Sequence, residues 1–214
     1  MSIVYPLTPP AAFAAAKMAT VSLARRVGIS RSPFTGEQKV YEWPNEYWTA
    51  SVSTPPYFRE SGGAELEAFV ASLHGAAGTF LWSPPYARTR RGTSNTTGVT
   101  VNGAGQTGRL LNVTGLGNVK TLLSGSFISL GTGLSTRLYQ VVEDATSNAT
   151  GDATLTIEPA LRSTPANGVA VTLASPQGLW RLAGSSSIPQ PTINGGGGSG
   201  NLYDAFNFSL EEAI

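Results

Sequence analysis

The chain has no cysteine among its 214 residues. Disulfide scaffolds, thiolate metal sites and cysteine nucleophiles are therefore excluded. Secreted eukaryotic domains of this polarity usually carry disulfides, which favours a bacterial or phage origin. Histidine is almost absent too, His74 being the single one. One imidazole without thiols argues against a zinc site. It argues equally against a Ser-His-Asp arrangement, and no G-x-S-x-G is present. Charge is scarce: Asp, Glu, Lys and Arg make up 13%, against about 25% in ordinary soluble domains. Ser, Thr, Asn and Gly must cover the surface instead, as in stable extracellular or virion proteins. The net charge of +1 gives no reason to expect sequence-specific nucleic-acid binding. No apolar run approaches the ~18 residues of a membrane helix, so no membrane insertion is expected. Met1 to Pro10 has no basic n-region, and Pro6, Pro9 and Pro10 interrupt any apolar stretch, so no signal peptide is expected. The chain is expected to be made in a cytoplasm and to stay soluble or join an assembly.

What is present is β patterning. Thr20 to Ile29 reads as a strand, and the offset between Leu23 and Val27 predicts a bulge. Ser32 to Gly36 is turn chemistry. Gln38 to Trp43 is a second strand and Tyr47 to Thr54 a third, with Trp48, Ala50 and Val52 on one face. One helix is predicted over Ala64 to His74, where Leu66, Phe69, Val70 and Leu73 fall at i, i+3, i+4 and i+7. Thr79 to Trp82 is a short strand. The composition shifts after Pro85, where six short strands separated by Gly, Asn, Ser and Thr turns predict a small barrel or sandwich. They are 99–101, 109–113, 126–130, 138–143, 153–158 and 169–173. Ser175 to Leu182 leads back toward the first part, and Ala183 to Gly200 reads as a loop. In Asn201 to Ile214, Phe206, Phe208 and Leu210 alternate with polar or small residues, which is a period-two strand with one apolar face. Lying beyond the glycine run 194–200, this strand is expected to return past an insertion and close a sheet begun near Val21. The layout is thus a discontinuous β domain with one helix, residues 1–84 and 178–214, and an inserted all-β domain, residues 85–177.

No motif supplies chemistry. Gly103 to Gly108 matches G-x-G-x-x-G, but a dinucleotide site needs a helix at its third glycine and the residues that follow lean to β. A glycine-rich β-turn is expected. His74 is read as a surface histidine at the helix end. Adjacent Glu211 and Glu212 point to opposite faces of a strand and cannot act on one substrate. Arg88, Arg90 and Arg91 read as a solvated loop at the domain junction. Neither cofactors, catalytic residues nor metal ligands are expected. Tyr41, Trp43, Tyr47 and Trp48 lie within eight residues; such density suits a core, a subunit interface or a sugar platform.

Three stretches carry a resemblance to a family: Arg31–Trp43 with Trp48–Pro56; Glu67–Leu81; and Arg137–Val141, Ala153–Arg162 and Gly178–Leu182. In them the chain resembles the distal tail proteins of long-tailed, siphovirus-type bacteriophages. The resemblance implies a homohexameric ring at the tail tip (the baseplate) of a virion. Such a ring joins the tail tube to the tail hub around a channel for the tape measure protein and DNA. It implies a tail-tube-like β-sandwich for the discontinuous domain, and an OB-like or galectin-like outer barrel or sandwich that serves in some members as a platform for fibres or receptor-binding modules. Assembly or core candidates are Tyr41, Trp43, Tyr47, Trp48, Phe206, Phe208 and Leu210. The alternative is a carbohydrate-binding or adhesin module holding a cell-surface glycan on the inserted domain or on Trp43 and Trp48.

Overall fold

A computed structural model describes residues 3–184, 193–194, 202–203 and 205–214. The fold is mainly β, with 41% of residues in strands. In chain order the elements are α1 (Ala11–Ala14), β1 (Met18–Arg31), β2 (Gln38–Ser53), β3 (Tyr57–Phe58), α2 (Gly63–Ser72) and β4 (Phe80–Trp82). Then come β5 (Thr100–Val101), β6 (Leu110–Thr114), β7 (Thr121–Leu122), β8 (Phe127–Leu130), β9 (Arg137–Val141), β10 (Ala145–Thr146), β11 (Ala153–Glu158) and β12 (Val171–Thr172). The chain ends with β13 (Gly178–Leu182), β14 (Ile193–Asn194), β15 (Leu202–Tyr203) and β16 (Asn207–Glu212).

The first sheet has the order β1-β2-β16-β13-β4. It is therefore built from both ends of the sequence. The last strand is its centre: Phe208 pairs with Val52 of β2, while Glu212 pairs with Trp180 of β13. One face carries the first core. Alternation puts Trp48, Ala50 and Val52 of β2 and Phe206, Phe208 and Leu210 on that face, all buried. Leu66, Phe69 and Val70 of α2 and Leu73 at its C-cap are buried against it, as helical spacing requires. The centre of this core is Phe13, in the short helix α1. Its ring lies 5.1 Å from Phe208, 5.5 Å from Phe80 and 5.7 Å from Phe69.

The second core belongs to the segment between Pro85 and Gly178. Six strands run β12-β8-β9-β11-β6-β5. The two edges then meet: Val101 N donates to Val169 O, Gly168 N to Val101 O, and Val171 N to Val99 O, each at 2.9 Å. The sheet so closes into a small barrel filled by residues such as Leu111, Val113, Ile128, Val141, Leu155 and Ile157. Closure removes the unpaired edges that short strands would otherwise expose. The barrel is one of the two shapes the spacing allows.

Several local expectations are corrected. The two strands read as 38–43 and 47–54 are one strand, β2, despite Pro44 between them. The ladder absorbs the proline in a bulge: Trp43 pairs with Arg26 and Tyr47 with Ala24, so three residues oppose Arg25 alone. This is also where the offset in β1 predicted one. The segment 85–177 holds two further short strands, β7 and β10, paired with each other. His74 lies beyond the end of α2 in the left-handed region, φ 49°, with Nδ1 3.5 Å from Tyr5 Oη. In the loop after Pro85, Arg88 and Arg91 are exposed, in keeping with the solvated reading, and the three arginines also bond to the backbone: Arg88 donates to Ala14 O, Arg90 to Ser94 O and Arg91 to Ser124 O. Residues 183–200 are not all loop, because β14 pairs with β15. Within the glycine run, residues 195–200 lie outside the described residues.

Gly103 to Gly108 forms the turn between β5 and β6, which pair antiparallel. Gly103, Gly105 and Gly108 have φ of 96°, 80° and 78°, a region in which glycine alone is unstrained. Gln106 locks the turn: its Nε2 donates to the carbonyls of Asn102, Gly103 and Asn112, and its Oε1 accepts from Asn112 N.

Candidate assembly surface

β1 and β2 pair along their whole length, from Met18↔Ser53 to Arg31↔Gln38. β16 follows β2 only as far as Thr49. Residues 24–31 and 38–47 therefore leave the sheet as a two-stranded arm, with the turn 32–37 at its tip. Side chains alternate along it. One face carries Val27, Ile29 and Val40, exposed by 48%, 65% and 62%. The other carries Tyr41 and Trp43, which are half exposed. The Trp43 indole lies over Gly28, so close that a Cβ there would sit 2.7 Å from the ring. Phe34 at the tip is 96% exposed. A lone two-stranded ribbon is marginally stable in water, and this one exposes apolar side chains on both faces beside the charged Arg26, Arg31, Lys39 and Glu42.

Ion pairs fix the root of the arm. In the bulge, Glu46 Oε1 lies 3.1 Å from Arg25 Nε and 2.8 Å from Arg109 Nη2. Glu158 completes a square, Oε1 2.8 Å from Arg109 Nε and Oε2 3.0 Å from Arg25 Nη2. Arg25 and Glu46 belong to the arm, whereas Arg109 and Glu158 belong to the barrel. The Glu158 carboxylate, by its hydrogen bond, holds the Arg109 guanidinium above its ordinary pKa. Glu46 is nearly fully buried, where an unpaired carboxylate would be costly. A cleft of about 460 Å³ lies at this joint, lined among others by Trp43, Glu46, Arg109, Arg162 and Ile214. In it Glu46 pairs with Arg109, and Arg162 pairs with Glu212, so the arrangement aims the arm.

A second set of contacts binds the sheet to the barrel. Trp48 Nε1 donates to Leu138 O at 2.9 Å, and its ring sits 5.7 Å from Phe127. Tyr86 meets the same phenylalanine edge-on at 5.6 Å, and burial pushes its phenol up to about 12.

No protein-family model matches this chain, and no curated protein matches its sequence.

The aromatic residues clustered in the sequence are dispersed by the fold. Tyr41 and Trp43 are on the exposed arm, Tyr47 is half-buried at its root, and Trp48 is in the core. Trp43 and Trp48 thus share no face and form no sugar platform together. Phe206, Phe208 and Leu210 are core residues in the central strand. A polar cleft on the barrel is lined by Asn102, Asn112, Asn148, Asp152 and Thr154. No aromatic ring lines it, and its side chains bond largely to each other, as Thr154 Oγ1 does to Asn112 Oδ1 at 2.7 Å. Among the described residues no group of three His, Asp or Glu is placed to share a metal, and no helix is long and apolar enough to cross a membrane. Sequence reasoning missed Arg25, Glu46, Arg109 and Glu158. They come from four separate stretches, and the offset between Leu23 and Val27 signalled the bulge but not the residues it gathers.

Proposed function

We propose that this protein is a structural subunit of a ring at the tail tip of a long-tailed bacteriophage. Six copies form the ring, the tail tube sits on one side and the hub on the other, and the tape measure passes through the channel. The observation that carries the reading is the arm, a ribbon that exposes apolar side chains on both faces. Exposed apolar patches of this kind mark protein interfaces, and a ribbon unsupported by its own sheet needs a neighbour to stabilise it. In this reading residues 1–84 and 178–214 build the ring. The barrel, held outside it by the ion square, is the platform for a fibre or receptor-binding protein. Native mass spectrometry of the purified chain should give a species of six copies, and electron microscopy should show rings. A chain that stays monomeric at all concentrations and is absent from tail particles overturns the proposal.

A further inference from the structure

The tip of the arm and a groove elsewhere on the chain are complementary. The groove lies between α1, Tyr57 and the start of α2. It is about 410 Å³, has Ala11, Ala12, Ala15 and Tyr57 as its apolar lining, and carries Glu60 and Glu65 at its polar side. The tip presents Phe34, 96% exposed, with Arg31, Glu37 and Lys39 exposed around it, two cations to one anion. One feature is an aromatic knob with a net positive rim; the other is an apolar hollow with two carboxylates at its edge. The Phe34 ring lies in solvent and fills no space in its own chain, while its backbone amide donates to Ser32 Oγ.

The two features cannot meet within one molecule. α1 ends at Ala14, four residues before β1 begins at Met18, so the groove lies beside the sheet-embedded end of β1, at the far end of that strand from the tip. The tip lies thirteen strand residues further on, roughly 40 Å away at about 3.3 Å per residue. We infer that Phe34 of one copy inserts into the Ala11–Ala15, Tyr57 and Glu60 groove of the next copy, with Arg31 and Lys39 facing Glu60 and Glu65. The occupant is a second copy of this chain. A contact between two different patches is head-to-tail, so its repetition closes a ring or runs into a filament. This inference deepens the ring reading and rests on it for the closed form.

Two experiments on the full chain test it. Phe34→Asp should raise the concentration for half-assembly by about tenfold or more, as loss of a central aromatic anchor does. Its melting temperature should not change, because the side chain is in solvent. The absence of native cysteine allows a clean cross-link: the double variant Phe34→Cys/Ala15→Cys should give a ladder of covalent multimers on oxidation, whereas either single variant stops at dimers. A wild-type chain that assembles, with Phe34→Asp assembling equally and no ladder from the double variant, overturns the inference and leaves the ring standing. A wild-type chain that never assembles overturns both.

Discussion

The Glu212 carboxylate receives two donors from opposite parts of the molecule. Its Oε2 accepts the Trp48 amide at 3.1 Å and the Arg162 guanidinium at 2.8 Å, and the side chain is 1% exposed. Glu212→Ala leaves a buried N–H unpaired and a mostly buried guanidinium without its counter-charge. The expected cost is about 3 kcal/mol or more in a urea melt. The alternation 211/212 already indicates that one glutamate faces inward, but not what it meets there, since its partners are 50 and 164 residues away in sequence. Phe208 lies between Phe13 and Phe206 in the first core, and Phe208→Ala should cost about 3–5 kcal/mol. Tyr86 gives the pH dependence. Burial raises its pKa from 10.0 to about 12. The folded state therefore holds the proton after the unfolded state has released it, and this contribution to stability, complete below pH 10, is lost as pH rises toward 12. Denaturation midpoints measured across that window should fall less steeply in Tyr86→Phe than in the wild type.

Among the elements, α2 was the most legible, because four apolar residues at helical spacing left one face to bury. The C-terminal strand was nearly as clear from its alternation. It joins the sheet that begins with Val21 in β1, but as the central strand between β2 and β13, with β1 at the edge, and that position was not legible. A central strand supplies hydrogen bonds to both neighbours. Deleting residues 207–214 should therefore abolish the tertiary near-ultraviolet signal of the first sheet, while a strand lost from an edge would be tolerated better. β2 was misread as two strands because Pro44 lacks a ladder donor; the bulge predicted in β1 was legible, but not that Pro44 of the facing strand would sit in it. Replacing residues 27–42 by a two-residue turn tests the arm as an element. The shortened chain should melt cooperatively, since both cores are untouched, yet fail to assemble in sedimentation velocity.

For the whole molecule, the sheet and the barrel are held together by aromatic contact around Phe127, by the Glu212 junction and by the Arg25–Glu46–Arg109–Glu158 square. Arg25 and Arg109 are about two-fifths exposed, so this part of the joint is open to screening. Arg109→Ala should change small-angle scattering of the full chain by loosening the arm against the barrel, with little effect on either core. The sequence by itself determined the mainly β class, the one long helix, the apolar faces of the strands and the lack of any thiol chemistry. Those properties follow from periodicity and composition, which act over a few neighbouring residues. The tertiary structure alone decided the closure of the barrel, the central place of the last strand, the separation of Trp43 from Trp48, the ion square and the isolation of the arm. Each of these depends on which distant segments meet, and pairing partners are chosen by packing of the whole chain rather than by any local pattern.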